Sequence, residues 1–97
     1  MIHWSEIMEC EATVTILNRL GLHARAASRF AQKANEFNAD VWLVKDGEKV
    51  DGKNILEVLT FACPHGSVLT VRAVGLDANQ AVRDLKILVE SRFGELD

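Results

Sequence analysis

Residues 12–37 read ATVTILNRLGLHARAASRFAQKANEF, and the change of rhythm inside this stretch decides the fold. ATVTIL alternates with period two: Ala12, Val14 and Ile16 fall on one face, Thr13 and Thr15 on the other. That pattern predicts a half-buried strand. Asn18 to Gly21 break it, and Gly21 supplies a residue free to take positive φ in a turn. From Ala24 to Phe37 the period becomes helical, with Ala27, Phe30, Ala31, Ala34 and Phe37 on one stripe. Spacings of three and four make that stripe the buried face, so Arg25, Arg29, Gln32 and Lys33 are expected to face water.

Working outward, VWLVK is followed by Asp46-Gly47 and then EKV. Asp-Gly between two extended runs is a strong signal for a tight hairpin. Asn54 opens a short helical stretch, NILEVLTFAC, and Glu57 three residues later completes the pattern of a capping box. Pro64 and Gly66 end it. SVLTVRAV at 67–74 alternates again, with Leu69, Val71 and Ala73 inward. A last helix is expected from Asp77, with Gln80 as a second cap signature and Ala81, Leu85, Leu88 and Val89 as its apolar stripe. Gly94 is its expected stop. The order β-α-β-β-α-β-α gives a two-layer α+β sandwich with the helices on one sheet face. It forms one domain over residues 11–97. Residues 1–10 are an N-terminal extension, either frayed or packed through Ile2, Trp4 and Ile7.

Ninety-seven residues hold one small core. With 48% hydrophobic and 26% charged residues, the chain buries enough apolar surface to fold. A net charge of −3 argues against a general nucleic-acid binder. No apolar run reaches the roughly 18–20 residues of a membrane span, and the first ten residues do not read as a secretion signal. Two cysteines, Cys10 and Cys63, are too few for a disulfide framework. A cytoplasmic domain is expected. Within it, residues 12–35 carry Arg19, Arg25, Arg29 and Lys33 and no acid. This is either a patch for an anion or acidic partner, or a solvated helix face.

His23 stands where the chain leaves the turn and enters the helix. Histidine is a mediocre N-cap, so capping alone accounts poorly for it. The free first-turn N–H groups and their partial positive charge make a site for phosphate. That field disfavours the imidazolium form, leaving a neutral, nucleophilic ring near neutral pH. A phosphoryl group on the ring would meet the amides of Ala24 and Arg25, and the Arg25 guanidinium could fork onto the same oxygens. No carboxylate lies nearby in sequence. By spacing alone, phosphate chemistry and an inert exposed histidine both stand.

GLHARAAS at 21–28, ADVWLVKDGEKVDGKNIL at 39–56, HGSVLTV at 65–71 and GLDANQAV at 75–82 together resemble the HPr family. These are phosphocarrier proteins of the bacterial phosphoenolpyruvate-dependent phosphotransferase system. The resemblance spans about residues 11–95 in the same element order. It implies an open-faced β-sandwich, a four-stranded antiparallel sheet under three helices. It implies that His23 accepts a phosphoryl group on Nδ1 from Enzyme I and passes it to an enzyme II A-type acceptor. Arg25 would take the family's active-site arginine role. Such a protein is a carrier without turnover of its own and needs no metal or organic cofactor; it is expected to be a monomer with no nucleic-acid partner and no membrane insertion.

Two departures from the family pattern bear on this. Ala26 stands where proline usually follows the arginine, with a small effect expected, since alanine restores an N–H and is a good helix former. Asn54 aligns with a serine that a regulatory kinase phosphorylates in many relatives; asparagine keeps a capping oxygen and offers no hydroxyl.

The apolar residues of the short helix, Ile55, Leu56, Val58, Leu59, Phe61 and Ala62, exceed what one face buries, so some are expected at the surface. By the resemblance, Ile55, Leu56 and Leu59 rim the active histidine, and Arg29 joins Arg25 at a basic edge suited to an acidic, hydrophobic partner. Alternatively all six pack inward. Cys63-Pro64-His65, with Cys10 and His3, matches no known zinc spacing, and a buried thiol and a turn histidine are expected instead. Trp4 and Trp42 are expected to pack. Lys53 either extends the basic patch or is solvated. Two other function classes remain: a regulatory protein similar to the nitrogen-related branch, acting through phosphorylation-dependent binding, and a hydrolase using His23 as a base. The hydrolase would need a carboxylate within hydrogen-bond reach of His23.

Overall fold

The computed structural model describes residues 8–96. The elements are β1 (Glu9–Thr15), α1 (Ala24–Ala34), β2 (Asp40–Lys45), β3 (Glu48–Asp51), α2 (Ile55–Thr60), β4 (Val68–Val74) and α3 (Ala78–Glu90). A 3-10 turn at Arg92–Gly94 follows α3. The four strands lie in the order β1-β4-β2-β3, every pair antiparallel. The three helices cover one face, the open-faced sandwich expected from the sequence.

The alternation puts Val14, Ile16, Val41, Leu43, Leu69, Val71 and Ala73 beneath the helices. Against them pack Ala27, Phe30, Ala31 and Ala34 of α1 and Ala78, Ala81, Val82, Leu85 and Val89 of α3. Burying a side chain the size of Phe30 contributes about 1.5–3 kcal/mol, so the small α1 stripe serves mainly to let the helix approach the sheet around it. Phe37 and Leu88, expected in the core, are only partly buried.

Several boundaries move. Glu9 and Cys10 belong to β1, pairing with Val74 and Ala73, so the sheet begins inside the expected N-terminal extension. Residues 1–7, with the suggested packing of Ile2, Trp4 and Ile7, lie outside the described residues. The hairpin forms as expected, with positive φ at both Asp46 (51°) and Gly47 (81°), the twist a two-residue loop requires.

The two cap predictions part company. Asn54 caps α2 as expected, its Oδ1 accepting from the amides of Leu56 (3.0 Å) and Glu57 (3.2 Å). Glu57, however, reaches past the box and accepts from the Asp51 amide at 3.2 Å. Asp77 makes no cap bond to α3. Its carboxylate instead accepts from the amides of Asn38 (2.9 Å) and Ala39 (2.7 Å), tying the α1–β2 loop to the start of α3. Those bonds, chiefly the one from Asn38, hold the Asp77 carboxyl below its ordinary range.

Candidate functional site

The turn between β1 and α1 is held first by a close backbone contact. Gly21 has φ 71°, and a Cβ there would lie 2.7 Å from the Cys63 carbonyl oxygen and 2.9 Å from the Pro64 Cα. Only glycine lets the two loops touch. The next residue, Leu22, then donates its amide to that same carbonyl at 2.8 Å and buries its side chain. His23 follows as the N-cap of α1, in extended conformation (φ −75°, ψ −179°). Its carbonyl accepts the first helical bond, from Ala27 at 2.8 Å. Its ring makes no cap bond, so the ring does not cover the helix start. The amides of Ala24 and Arg25 have no acceptor within the helix, which has no acid in its first turn. The helix start expected at His23 is therefore formed.

The ring is half-buried for a reason the sequence did not show. His23 Nε2 lies 2.5 Å from Oε2 of Glu95, 72 residues further on, with the carboxylate itself only 11% exposed. Glu95 Oε1 accepts from Nδ2 of Asn18 at 2.8 Å. Asn18 is completely buried, and the same amide nitrogen also donates to the Gly21 carbonyl at 2.6 Å. Burial pushes the Glu95 carboxyl up, but hydrogen bonds from Asn18 and His23 and the charges of His23 and Arg25 outweigh it, leaving it below the ordinary range. The carboxylate whose absence counted against a catalytic base is thus present, brought from the far end of the chain.

The tail reaches His23 through an unusual backbone. Arg92, Phe93 and Gly94 all have positive φ (61°, 55° and 77°). Non-glycine residues in that region cost on the order of 1–3 kcal/mol each, so the surroundings must hold them. Phe93 inserts into the core, and Arg29 Nη1 donates to the Phe93 carbonyl. Arg29 is therefore a clamp on the tail as well as a positive charge at the site. Arg25 is exposed and makes no hydrogen bond or salt bridge among the described residues. The two arginines line an open cleft of about 310 Å³ with Leu20, Gly94, Glu95 and Leu96.

A second hollow beside the ring is apolar, formed by Leu20, Leu22, Ala62, Cys63 and Pro64 next to His23. On α2, Ile55 (41%), Leu56 (69%) and Leu59 (36%) are exposed while Val58 is buried, which settles that the six apolar residues do not all pack inward. Leu20, 63% exposed, joins this surface; sequence reasoning passed over it because it sits in the turn rather than on a periodic element.

The remaining candidates have structural roles. Burial pushes the Cys63 thiol above its ordinary value, against an opposing pull from Lys45. No cluster of three or more metal-ligating side chains occurs among the described residues. Trp42 carries the Lys49 ammonium over its ring at 4.4 Å. Lys53 donates to the Phe37 carbonyl at 2.7 Å, holding the loop after α1 against the loop before α2. His3 and Trp4 lie outside the described residues.

Comparison with known proteins gives the class of this small helices-over-sheet domain, with its imidazole at a helix start: that of the phosphocarriers. A family profile described as "PTS HPr component phosphorylation site" matches residues 10–91. The chain is 39% identical to phosphocarrier protein HPr of Neisseria meningitidis over 83 residues, covering 86% of this chain and 93% of that protein. It is 38% identical to phosphocarrier protein NPr of Shewanella violacea, over 88% of this chain and 93% of that one. Among solved structures, HPr from Thermoanaerobacter tengcongensis superposes with a TM-score of 0.85 at 40% identity, covering 89% of this chain and 97% of that one. The chain belongs to the HPr family of phosphocarrier proteins.

Proposed function

We propose that this protein accepts one phosphoryl group on His23 Nδ1 from phosphorylated Enzyme I, in the cytoplasm, and passes it to an enzyme II A-type acceptor. The observation that carries this reading is the placement of His23. Its ring makes no bond to the first-turn amides of α1, and the exposed Arg25 lines the cleft with Glu95, the residue that holds the ring. Nδ1 is the ring nitrogen not engaged by Glu95. Phosphoryl oxygens on Nδ1 would be met by the amides of Ala24 and Arg25 and by the arginine's fork. Leu20, Ile55, Leu56 and Leu59, with Arg25 and Arg29 at the edge, form a docking face for an apolar cavity with an acidic rim. The domain acts as a carrier, consumed and regenerated by its partners.

The experiment is intact mass after incubation with phosphoenolpyruvate, Mg²⁺ and Enzyme I. One acid-labile phosphoryl group per chain is expected, absent from His23→Ala. A folded His23→Ala that still takes up phosphate sinks the proposal.

Two observations favour second readings. A relative named NPr stands almost level with one named HPr. A regulatory role in the nitrogen-related branch would show as capture of partners that depends on His23 but lacks enzyme II A components of sugar uptake. The His23–Glu95 pair also meets the requirement for a hydrolytic base. That reading predicts continuous release of inorganic phosphate, where the carrier stops at one equivalent. Asn54 excludes hydroxyl phosphorylation at its own position, since its side chain is an amide committed to the α2 cap.

A further inference from the structure

We infer that Glu95 is a positioning residue for phosphoryl transfer through His23, fixing the ring with its proton on Nε2 and its lone pair on Nδ1. The inference deepens the carrier reading and rests on it. A carboxylate is acceptor-only, so a contact of 2.5 Å between Glu95 Oε2 and Nε2 requires the proton on that nitrogen. The tautomer of a histidine is set by the bond its other nitrogen makes. In the neutral ring that bond puts the one proton on Nε2 and leaves the Nδ1 lone pair free to attack phosphorus.

The carboxylate is itself held. Asn18 is wholly buried, and its Nδ2 spends both protons, one on Gly21 O and one on Glu95 Oε1. The amide cannot flip without losing both bonds, so it presents a donor to Glu95 and fixes which oxygen faces the ring. Behind Glu95 the chain is locked by the buried Phe93 ring and by Arg29 on the Phe93 carbonyl. The Glu95 amide also donates back to the Arg92 carbonyl at 2.9 Å. Two successive non-glycine residues in the left-handed region are maintained at this one place, and the result is a carboxylate on His23.

The step balances as follows. The Nδ1 lone pair forms the N–P bond while the bond from phosphorus to the donor breaks, its electron pair returning to the donor atom that carried the group. The Nε2 proton stays on His23, so the product is a phosphoimidazolium whose positive ring faces the Glu95 carboxylate. On transfer to the acceptor the leaving group is a neutral imidazole, again with its proton on Nε2. Arg25 and Arg29, lining the same cleft, offset the carboxylate's charge toward the incoming phosphoryl oxygens.

The test uses the full chain and two readouts. Nitrogen-15 NMR of the His23 ring should show one Nε2–H tautomer in the wild type and interconverting tautomers in Glu95→Ala. Phosphoryl uptake from phosphorylated Enzyme I should fall on the order of tenfold in Glu95→Ala, with half-saturation for Enzyme I unchanged. Glu95→Gln should fall between the two, because it keeps only one of the two oxygens that His23 and Asn18 separately use. Ring shifts unchanged in Glu95→Ala, or uptake equal to or faster than wild type, overturns the inference. Wild-type protein that takes up no phosphoryl group sinks the carrier reading instead, and the ring shifts still decide whether Glu95 sets the tautomer.

Discussion

Gly21→Ala is expected to be far more damaging than a turn glycine usually warrants, and Gly47→Ala provides its internal control. Both glycines have positive φ, 71° and 81°. Placing alanine in that region costs roughly 1–2 kcal/mol in either case. A Cβ at Gly47 meets nothing within 4 Å, so the conformational cost is the whole cost there. At Gly21 it would lie 2.7 Å from Cys63 O, 2.9 Å from Pro64 Cα and 3.1 Å from His65 N. All three are backbone atoms that no side-chain rotation can move away. Relieving the overlap means separating the two loops, which strains the 2.8 Å Leu22–Cys63 hydrogen bond, worth about 0.5–1.5 kcal/mol. The total for Gly21→Ala is therefore about 1.5–3.5 kcal/mol.

In a domain of this size each kcal/mol moves the melting temperature by about 4–8 °C, so the shift should be on the order of 10–20 °C. Thermal and urea unfolding followed by far-ultraviolet circular dichroism reads it directly. Below its transition, Gly21→Ala should also take up phosphate more slowly, because Leu22 is the residue that delivers His23 to the helix start. Gly47→Ala should not. Equal destabilisation by the two substitutions would refute the argument that the β1–α1 turn is fixed by its contact with the Cys63 loop.

Asn54→Ala removes the acceptor of two α2 amides and should cost about 1 kcal/mol, seen as a lower urea midpoint, with His23 still accepting phosphate. Asp77 gives an acid-dependent contribution. Its folded value is depressed, so its stabilisation is present above the unfolded carboxylate range and lost as pH falls through the folded value. Wild-type protein should therefore lose more stability than Asp77→Asn between about pH 5 and pH 3, measured by urea midpoints at each pH. Parallel losses would show that the bonds to Asn38 and Ala39 are not what the acid breaks.

The fold was legible because its elements announce themselves locally. ATVTIL and SVLTVRAV alternate, α1 repeats every three to four residues, and Asp46-Gly47 can do little between two strands except turn. His23 was legible for the same reason, since the turn before it and the helix after it are both local. The reading failed where a polar residue had a choice of partners. Asp77 and Glu57 carry the right side chains at cap spacing, yet each found a better amide in a loop that only the tertiary fold brings near.

Glu95 is the extreme case of that failure. Nothing in GELD distinguishes it from a solvated tail acid, and no periodicity extends to it. Its position depends on three contacts made at once: Phe93 in the core, Arg29 on the Phe93 carbonyl, and Asn18 beneath the β1–α1 turn. Arg29 and Asn18 were themselves read as a surface cation and a turn residue. Their second role appears only when the end of the chain returns to the start of α1. A site assembled from residues 18, 23, 25, 29 and 95 is thus part local and part tertiary. The local half offers a phosphoryl group a helix start and an arginine. On the proposed reading, the tertiary half decides which nitrogen of the ring is free to take it.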